Sequence, residues 1–234
     1  MRDPVSDADG DRATADWRRF SALRRMVNHW DRPGWDSGRS AYYWYLTFDS
    51  PALSMLTQKC QEQFDGLGLD LVGTDWIHLS LIRLAWSDEI SRDYAERAAE
   101  EANCQLQEIS GFTLWVGPLA GSAGAIRFSV EPWEPIKTVR EILARLSPGA
   151  DRIAVPKPFL PHISIAYNNH DRLARPVIDV AAEARLLPKV AVDVAEVALV
   201  EVRRVGRAYK WKTVRQVPLG NPSPVGRAGR PGSC

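Results

Sequence analysis

Trp76-Ile77-His78-Leu79-Ser80-Leu81 and Leu160-Pro161-His162-Ile163-Ser164-Ile165 are the two stretches of the 234-residue chain on which its fold turns. Each sits in an apolar run of strand length, and in a strand residues i and i+2 point to the same face. His78 and Ser80 therefore project together, while Ile77, Leu79 and Leu81 turn the other way into a core. The same parity sets His162 and Ser164 against Ile163 and Ile165. Only four histidines occur, and two of them share this local pattern 84 positions apart (162 minus 78). One such motif is weak evidence. Two of them, one in each half of the chain, make the pair informative, each strand offering an imidazole beside a hydroxyl.

The flanking segments fit around these strands. Ala15 to Trp30 carries Trp17, Phe20, Leu23, Met26, Val27 and Trp30 at spacings of three and four, which predicts an amphipathic helix after a dozen polar, fraying residues. Asp31 to Ser40, with Pro33, Gly34 and Gly38, reads as a connector. Ala41 to Phe48 reads as a strand, Pro51 to Phe64 as a helix with proline in its first turn, and Gly66 to Gly73 as a glycine-punctuated link. A surface helix is expected over Asp88 to Gln107. Strands follow over Phe112 to Val116 and Ala125 to Val130, joined by turn material from Gly117 to Gly124. Helices are expected over Glu134 to Leu146, stopped by Pro148-Gly149, and over Arg172 to Leu186, interrupted by Pro176. Val190 to Val202 and Tyr209 to Val217 read as closing strands.

The expected organisation is a helical extension over 1–40, a two-lobed domain over 41–217 and a flexible tail over 218–234. The fold class is α/β of the α+β type, with mixed, mainly antiparallel sheets and helices on their outer sides.

Composition narrows the function. Apolar residues at 45% and charged residues at 25% are average for a globular protein. A formal charge of +1 lacks the basic excess of a protein that tracks a duplex by neutralising many phosphates, so a ligand with a few phosphates fits better. Cys60, Cys104 and Cys234 show no CxxC spacing, which suggests neither a disulfide framework nor a cysteine zinc site and reads as a reducing compartment. The N-terminus has no apolar leader, and no run approaches the roughly 20 apolar residues that cross a bilayer. The expectation is a cytoplasmic protein. Nine tryptophans are unusual; core packing is the first use expected of them, stacking on a base the second.

The paired H-x-S strands resemble the signatures of the two-histidine phosphoesterase superfamily, which includes 2′-5′ RNA ligase-like proteins and RNA cyclic phosphodiesterases. The resemblance spans about Ala41 to Val217. It implies a bilobal, pseudo-twofold fold with both motifs lining a central groove, and phosphodiester chemistry with no metal or other cofactor. It also implies RNA 3′ ends or small nucleotides as partners, with neither a membrane nor an obligatory protein partner. Many members carry threonine where this chain has Ser80 and Ser164; serine supplies the same donor. Unperturbed histidine titrates near 6.5, so His78 and His162 can act as one neutral base and one cationic acid, while Ser80 and Ser164 donate to non-bridging oxygens. The symmetry of the motifs permits either assignment.

Competing readings remain open at this level. Taken alone, either histidine reads as a hydrogen-bonded core residue, and either serine as a strand residue satisfied by backbone. Zinc binding would need further ligands, and the nearby candidate, Asp75, falls on the opposite strand face from His78. Tyr167 is a candidate for base stacking or for packing on the sheet, and Arg127 for phosphate binding or a solvated edge. Trp211, between Lys210 and Lys212, is the candidate stacking platform. His29, on the terminal helix, and His170, in a turn, read as surface residues. Beyond Glu201 the charges are Arg203, Arg204, Arg207, Lys210, Lys212, Arg215, Arg227 and Arg230, which either steer an anion or protect a strand edge. An RNA-end-binding module without turnover is the alternative to an enzyme.

Overall fold

The computed structural model describes residues 7–31, 33–35, 38–148 and 159–220, with side chains from Arg12 onward. Helix α1 (Asp7–Ser21) and the short strand β1 (Arg25–Met26) lead into β2 (Ser40–Thr47), α2 (Pro51–Gln63) and β3 (Asp70–Leu71). A 3-10 turn over Thr74–Trp76 delivers β4 (His78–Trp86), followed by α3 (Arg92–Leu106). The second half holds β5 (Phe112–Ser122), β6 (Ala125–Glu131), α4 (Glu134–Arg145), β7 (His162–Tyr167), β8 (Arg172–Leu173) and α5 (Arg175–Ala184). The chain closes through β9 (Val190–Val194), β10 (Glu196–Val205) and β11 (Ala208–Pro218).

The main sheet runs β11-β10-β2-β4-β7-β6-β5-β9, with β3 added beside β7, and every pairing in it is antiparallel. It divides at the middle into two four-stranded lobes. β4 pairs along its length with β2, and β7 with β6, but β4 and β7 register with each other only at Leu79 and Ile163. The helices are exchanged across this seam: α2, which follows β2, packs on β7 and β9, and α4, which follows β6, packs on β4. The result is the expected bilobal, pseudo-twofold α+β arrangement.

Most of the predicted elements lie where local pattern put them, since a run such as Ala41 to Thr47 alternates faces and is rich in β-branched and aromatic side chains. Ser50 caps α2 by accepting from the Leu53 amide, with Pro51 in the first turn. Pro176 likewise opens α5 rather than interrupting it, and the residues before it form β8 against β1.

Two expectations are corrected. The N-terminal helix does not run over 15–30; it begins by Asp7 and ends at Ser21. The apolar spacing continues past Ser21, but there the backbone is taken by tertiary partners: Val27 donates to the Ala123 carbonyl and His29 to that of Asn168. Gly117 to Gly124 is not a turn. β5 runs through it to Ser122, absorbing Gly117-Pro118 as an irregularity between Val116 and Leu119. Pro118 has no amide to give the ladder, and Gly117 sits at φ +117, where a side chain would be strained. Cys60 is a buried free thiol. Arg227, Arg230 and nearly all of the 218–234 tail lie outside the described residues. Among the described residues no helix is long and apolar enough to cross a membrane.

The main core cluster spans both lobes, with Trp44, Phe128, Leu79 and Ile163 almost without exposure, and a smaller cluster holds Tyr45, Ala198, Val200 and Val202. Of the tryptophans only Trp30, Trp44 and Trp86 are buried; Trp115 is exposed, Trp76 packs against the main core, and Trp35 and Trp211 pack with tyrosines on the smaller cluster. β6 is buried on both faces, because α1 lies across β5 and β6. That docking rests on Phe20, 1% exposed, whose ring lies over Gly121 so closely that a Cβ there would come within 2.5 Å of it. Arg12 adds an ion pair to Glu134 at 3.5 Å, and Arg185 covers Trp17 at 4.4 Å. Phe20→Ala is expected to cost about 3 kcal/mol in urea unfolding, and Gly121→Val a comparable amount by displacing the ring, whereas the exposed Val27→Ala stays within about 0.5 kcal/mol.

Candidate active site

The alternation of β4 and β7 has the consequence expected of it. Ile77, Leu79 and Leu81, like Ile163 and Ile165, are buried, while His78, Ser80, His162 and Ser164 open on one cleft of about 640 Å³. The Leu79–Ile163 pair sits at the midpoint of both motifs, so an antiparallel register carries His78 toward Ser164 and Ser80 toward His162. A more open depression of about 960 Å³, between α2 and Leu71, holds neither histidine.

Each imidazole is fixed by its own strand. His78 Nδ1 lies 2.9 Å from the Trp76 carbonyl oxygen, and His162 Nδ1 lies 2.7 Å from that of Leu160. A carbonyl oxygen only accepts, so Nδ1 carries the proton in both rings and the neutral form leaves Nε2 as the basic nitrogen. Burial pushes both imidazoles down to about 4. At His162 the Arg127 charge adds to this, and the Leu160 carbonyl and Asp16 oppose it. Both rings are therefore neutral in the free protein at pH 7.

The surroundings of the two motifs differ. His78 stacks on Tyr45 with ring centroids 4.1 Å apart and meets Trp211 edge-on at 4.9 Å. His162 stands opposite Ser129 and Ser164 opposite Arg127 in the β6–β7 register. Arg127 is not on a solvated edge: β6 is an interior strand, and the side chain is buried beside the cleft with Nη2 donating to Asp16 at 2.6 Å. Tyr167 is buried, lines the cleft and stacks on His29 with centroids 4.0 Å apart. Trp211 packs edge-on against Tyr45, Trp76 and His78 and is not among the residues lining the cleft.

His29 is a correction. It is buried at 4% exposure, lines the cleft and lies 3.2 Å from the Tyr209 hydroxyl, because the chain has already left α1 and crosses the end of the sheet. His170 is exposed, as expected. Sequence reasoning also passed over Asp16, Tyr45, Tyr209, Arg140 and Phe159, which belong to this cleft or its lining. None of them lies in a motif; the only signal was the density of aromatic residues in 42–45. Of the C-terminal cations, Arg203 pairs with Glu201, Arg204 donates to the Trp30 carbonyl and Lys210 covers Trp76 at 4.0 Å; Lys212 and Arg215 are exposed on the edge strand β11. Among the described residues no three His, Cys, Asp or Glu side chains converge to hold a metal ion.

Comparison with known proteins agrees with this geometry. Residues 48–206 match the family model described as the 2′-5′ RNA ligase superfamily. Among solved structures, Escherichia coli LigT in its apo form aligns at 14% identity and TM-score 0.60, over 79% of this chain and all of its own. TT0787 of Thermus thermophilus aligns at 17% identity and TM-score 0.57, over 78% of this chain and 98% of its own. No curated protein matches the chain significantly. At such identities the structural likeness is one of fold, but the family match covers more than half of the chain and contains both His-x-Ser strands: the chain belongs to the 2′-5′ RNA ligase superfamily.

Proposed function

We propose that this protein is a metal-independent phosphodiesterase that opens a 2′,3′-cyclic phosphate or a 2′-5′ linkage at an RNA end or on a nucleotide. The observation that carries the reading is the pair of imidazoles, each tied through Nδ1 to a backbone carbonyl and each left with Nε2 for the cleft. Phosphodiester hydrolysis needs a base for the attacking water and an acid for the leaving ribose oxygen, in line across phosphorus. Two histidines supply both without a metal, and His78 and His162 take these roles. Ser80 and Ser164 donate to the non-bridging oxygens as charge grows there, and Arg127, with donors beyond the one given to Asp16, binds the same oxygens.

Fold relatives support the substrate class: LigT has been crystallised with ATP, with 3′-AMP and with phosphate. The aromatic residues around His78 and Tyr167 offer apolar surface for a base or ribose. The reverse reaction, joining a cyclic phosphate end to a 5′-hydroxyl, uses the same groups by microscopic reversibility.

In excess chelator the protein should turn over a nucleoside 2′,3′-cyclic monophosphate or a 2′-5′ dinucleotide, and His78→Asn or His162→Asn should each lower kcat by about 10²- to 10⁴-fold while inorganic phosphate still binds. Binding of both substrates without turnover by the parent would leave an RNA-end-binding module instead.

The pH dependence follows from the depressed imidazoles. A ring that titrates at about 4 is a cation in the free protein only near and below that pH, so above it the acid form falls tenfold per unit. Accordingly kcat/KM should decline by about tenfold per unit from pH 5 to 8, while kcat, set in the complex where an anionic phosphate favours the imidazolium, holds to higher pH. Parallel profiles for the two parameters would show that phosphate does not raise either ring.

A further inference from the structure

Helix α1 lies outside the segment that matches the family, yet it reaches the cleft. Asp16 is 7% exposed; its Oδ1 accepts from Arg127 Nη2 at 2.6 Å and its Oδ2 from the Ser129 hydroxyl at 3.3 Å. Arg127 is itself 8% exposed, lines the cleft and keeps Nε without a partner among the described residues. Arg127 and Ser129 stand opposite Ser164 and His162, so the carboxylate lies beside the strand pair of the second motif. The first motif has Tyr45 and Trp211 against its histidine instead. Two motifs alike in sequence thus sit in unlike settings, one at a buried ion pair and the other in an aromatic wall.

A carboxylate buried beside an anion site opposes the ligand by charge and is costly unless it does something a neutral acceptor would not. Here it fixes the guanidinium and, in the free protein, offsets its charge. Once a phosphate takes the remaining donors of Arg127, that guanidinium faces two anions, and the local balance next to His162 turns negative.

We propose that Asp16 is a positioning residue which, by holding Arg127 on the His162 side of the cleft, makes His162 the acid of the reaction and leaves His78 as its base. This rests on the phosphodiesterase reading above. In the hydrolytic step His78 Nε2 takes a proton from water as the water oxygen bonds to phosphorus. The bond from phosphorus to the leaving ribose oxygen breaks with its electron pair on that oxygen, and the Nε2 proton of cationic His162 goes to it. His78 ends as the cation and His162 neutral, and exchange with solvent restores the starting pair.

The charged and titratable groups around His162 are Arg127 on β6, Asp16 on α1 and His78 on β4. Arg19 of α1 also reaches Asp16, at 3.3 Å, and Arg140 of α4 lines the cleft with Nε donated to the Leu81 carbonyl.

The test is an NMR titration of the imidazoles in saturating inorganic phosphate, assigned with His78→Asn and His162→Asn, for the parent, Asp16→Asn and Asp16→Glu. In Asp16→Asn, His162 should titrate about one pH unit below the parent, a tenfold loss of imidazolium at a given pH, with His78 unmoved and with Asp16→Glu restoring the shift. On a nucleoside 2′,3′-cyclic monophosphate kcat should fall by about the same tenfold with KM no higher. Equal movement of both histidines, or none at His162, would overturn the proposal. If Asp16→Asn does not fold, Arg127→Gln replaces it: the carboxylate is then unopposed, His162 should titrate above the parent with His78 unmoved, and any other pattern overturns the proposal. Absence of turnover in the parent would remove the phosphodiesterase reading, and the acid's role with it; turnover with the two histidines shifting together would remove the Asp16 inference alone.

Discussion

Leu79 and Ile163 form the one registered pair between β4 and β7, and the rest of the molecule is arranged around that contact. Both side chains are fully buried, so the seam is closed on the core face by apolar packing while the backbones meet at a single position. Each strand is otherwise committed to its own lobe, β4 to β2 and β7 to β6. The sheet therefore parts on either side of the contact, and the opening is the cleft. Since the paired residues are the central ones of the two His-x-Ser motifs, the contact that joins the lobes also sets the histidines and serines against one another. Packing, topology and chemistry share one position in the chain.

The same burial creates a conflict within the cleft. Exclusion of water strengthens every hydrogen bond and charge interaction there, which is what stabilising a charged phosphorus centre requires. It also holds both imidazoles neutral, whereas acid catalysis needs one of them charged. The backbone carbonyls at Trp76 and Leu160 ease this by fixing the tautomer and favouring the cation, but burial outweighs them. On the phosphodiesterase reading proposed above, a phosphate in the cleft is what would favour the imidazolium.

What could be read in the sequence was whatever depends on neighbours along the chain. The period of two in 76–81 and 160–165 gave the facing of His78, Ser80, His162 and Ser164, and Pro51 marked the start of α2. What could not be read depends on partners far away in sequence. The apolar spacing from Trp17 to Trp30 is as good a helix pattern after Ser21 as before it, and only the carbonyls of Ala123 and Asn168 decide otherwise. His29 looked like a surface residue because the strand end that buries it, at Tyr167, lies well over a hundred residues away. Asp16 and Arg127 are 111 positions apart and carry no motif; a lone aspartate on a polar helix gives no sign that it will be buried on an arginine. Gly117-Pro118 misled in the other direction, since local turn chemistry was overridden by the pairing of β5 with β6 and β9.

A division of labour between segments follows from where these residues fall. The two His-x-Ser pairs, His78 with Ser80 and His162 with Ser164, and the arginine beside them all lie within 48–206, the stretch shared with the superfamily. The groups that make the two halves of the cleft unlike lie largely outside it: Asp16, His29, Trp35 and Tyr45 before it, Tyr209 and Trp211 after it. A pseudo-twofold fold supplies two equivalent imidazoles and no reason for either to be acid or base. Directional chemistry needs the symmetry broken, and in this chain the breaking is done by flanking elements that wrap the shared core: α1 brings charge to one motif, while β2 and β11 bring aromatic rings to the other. The two motifs are thus made unlike at the margins of the shared fold, by residues with no motif of their own.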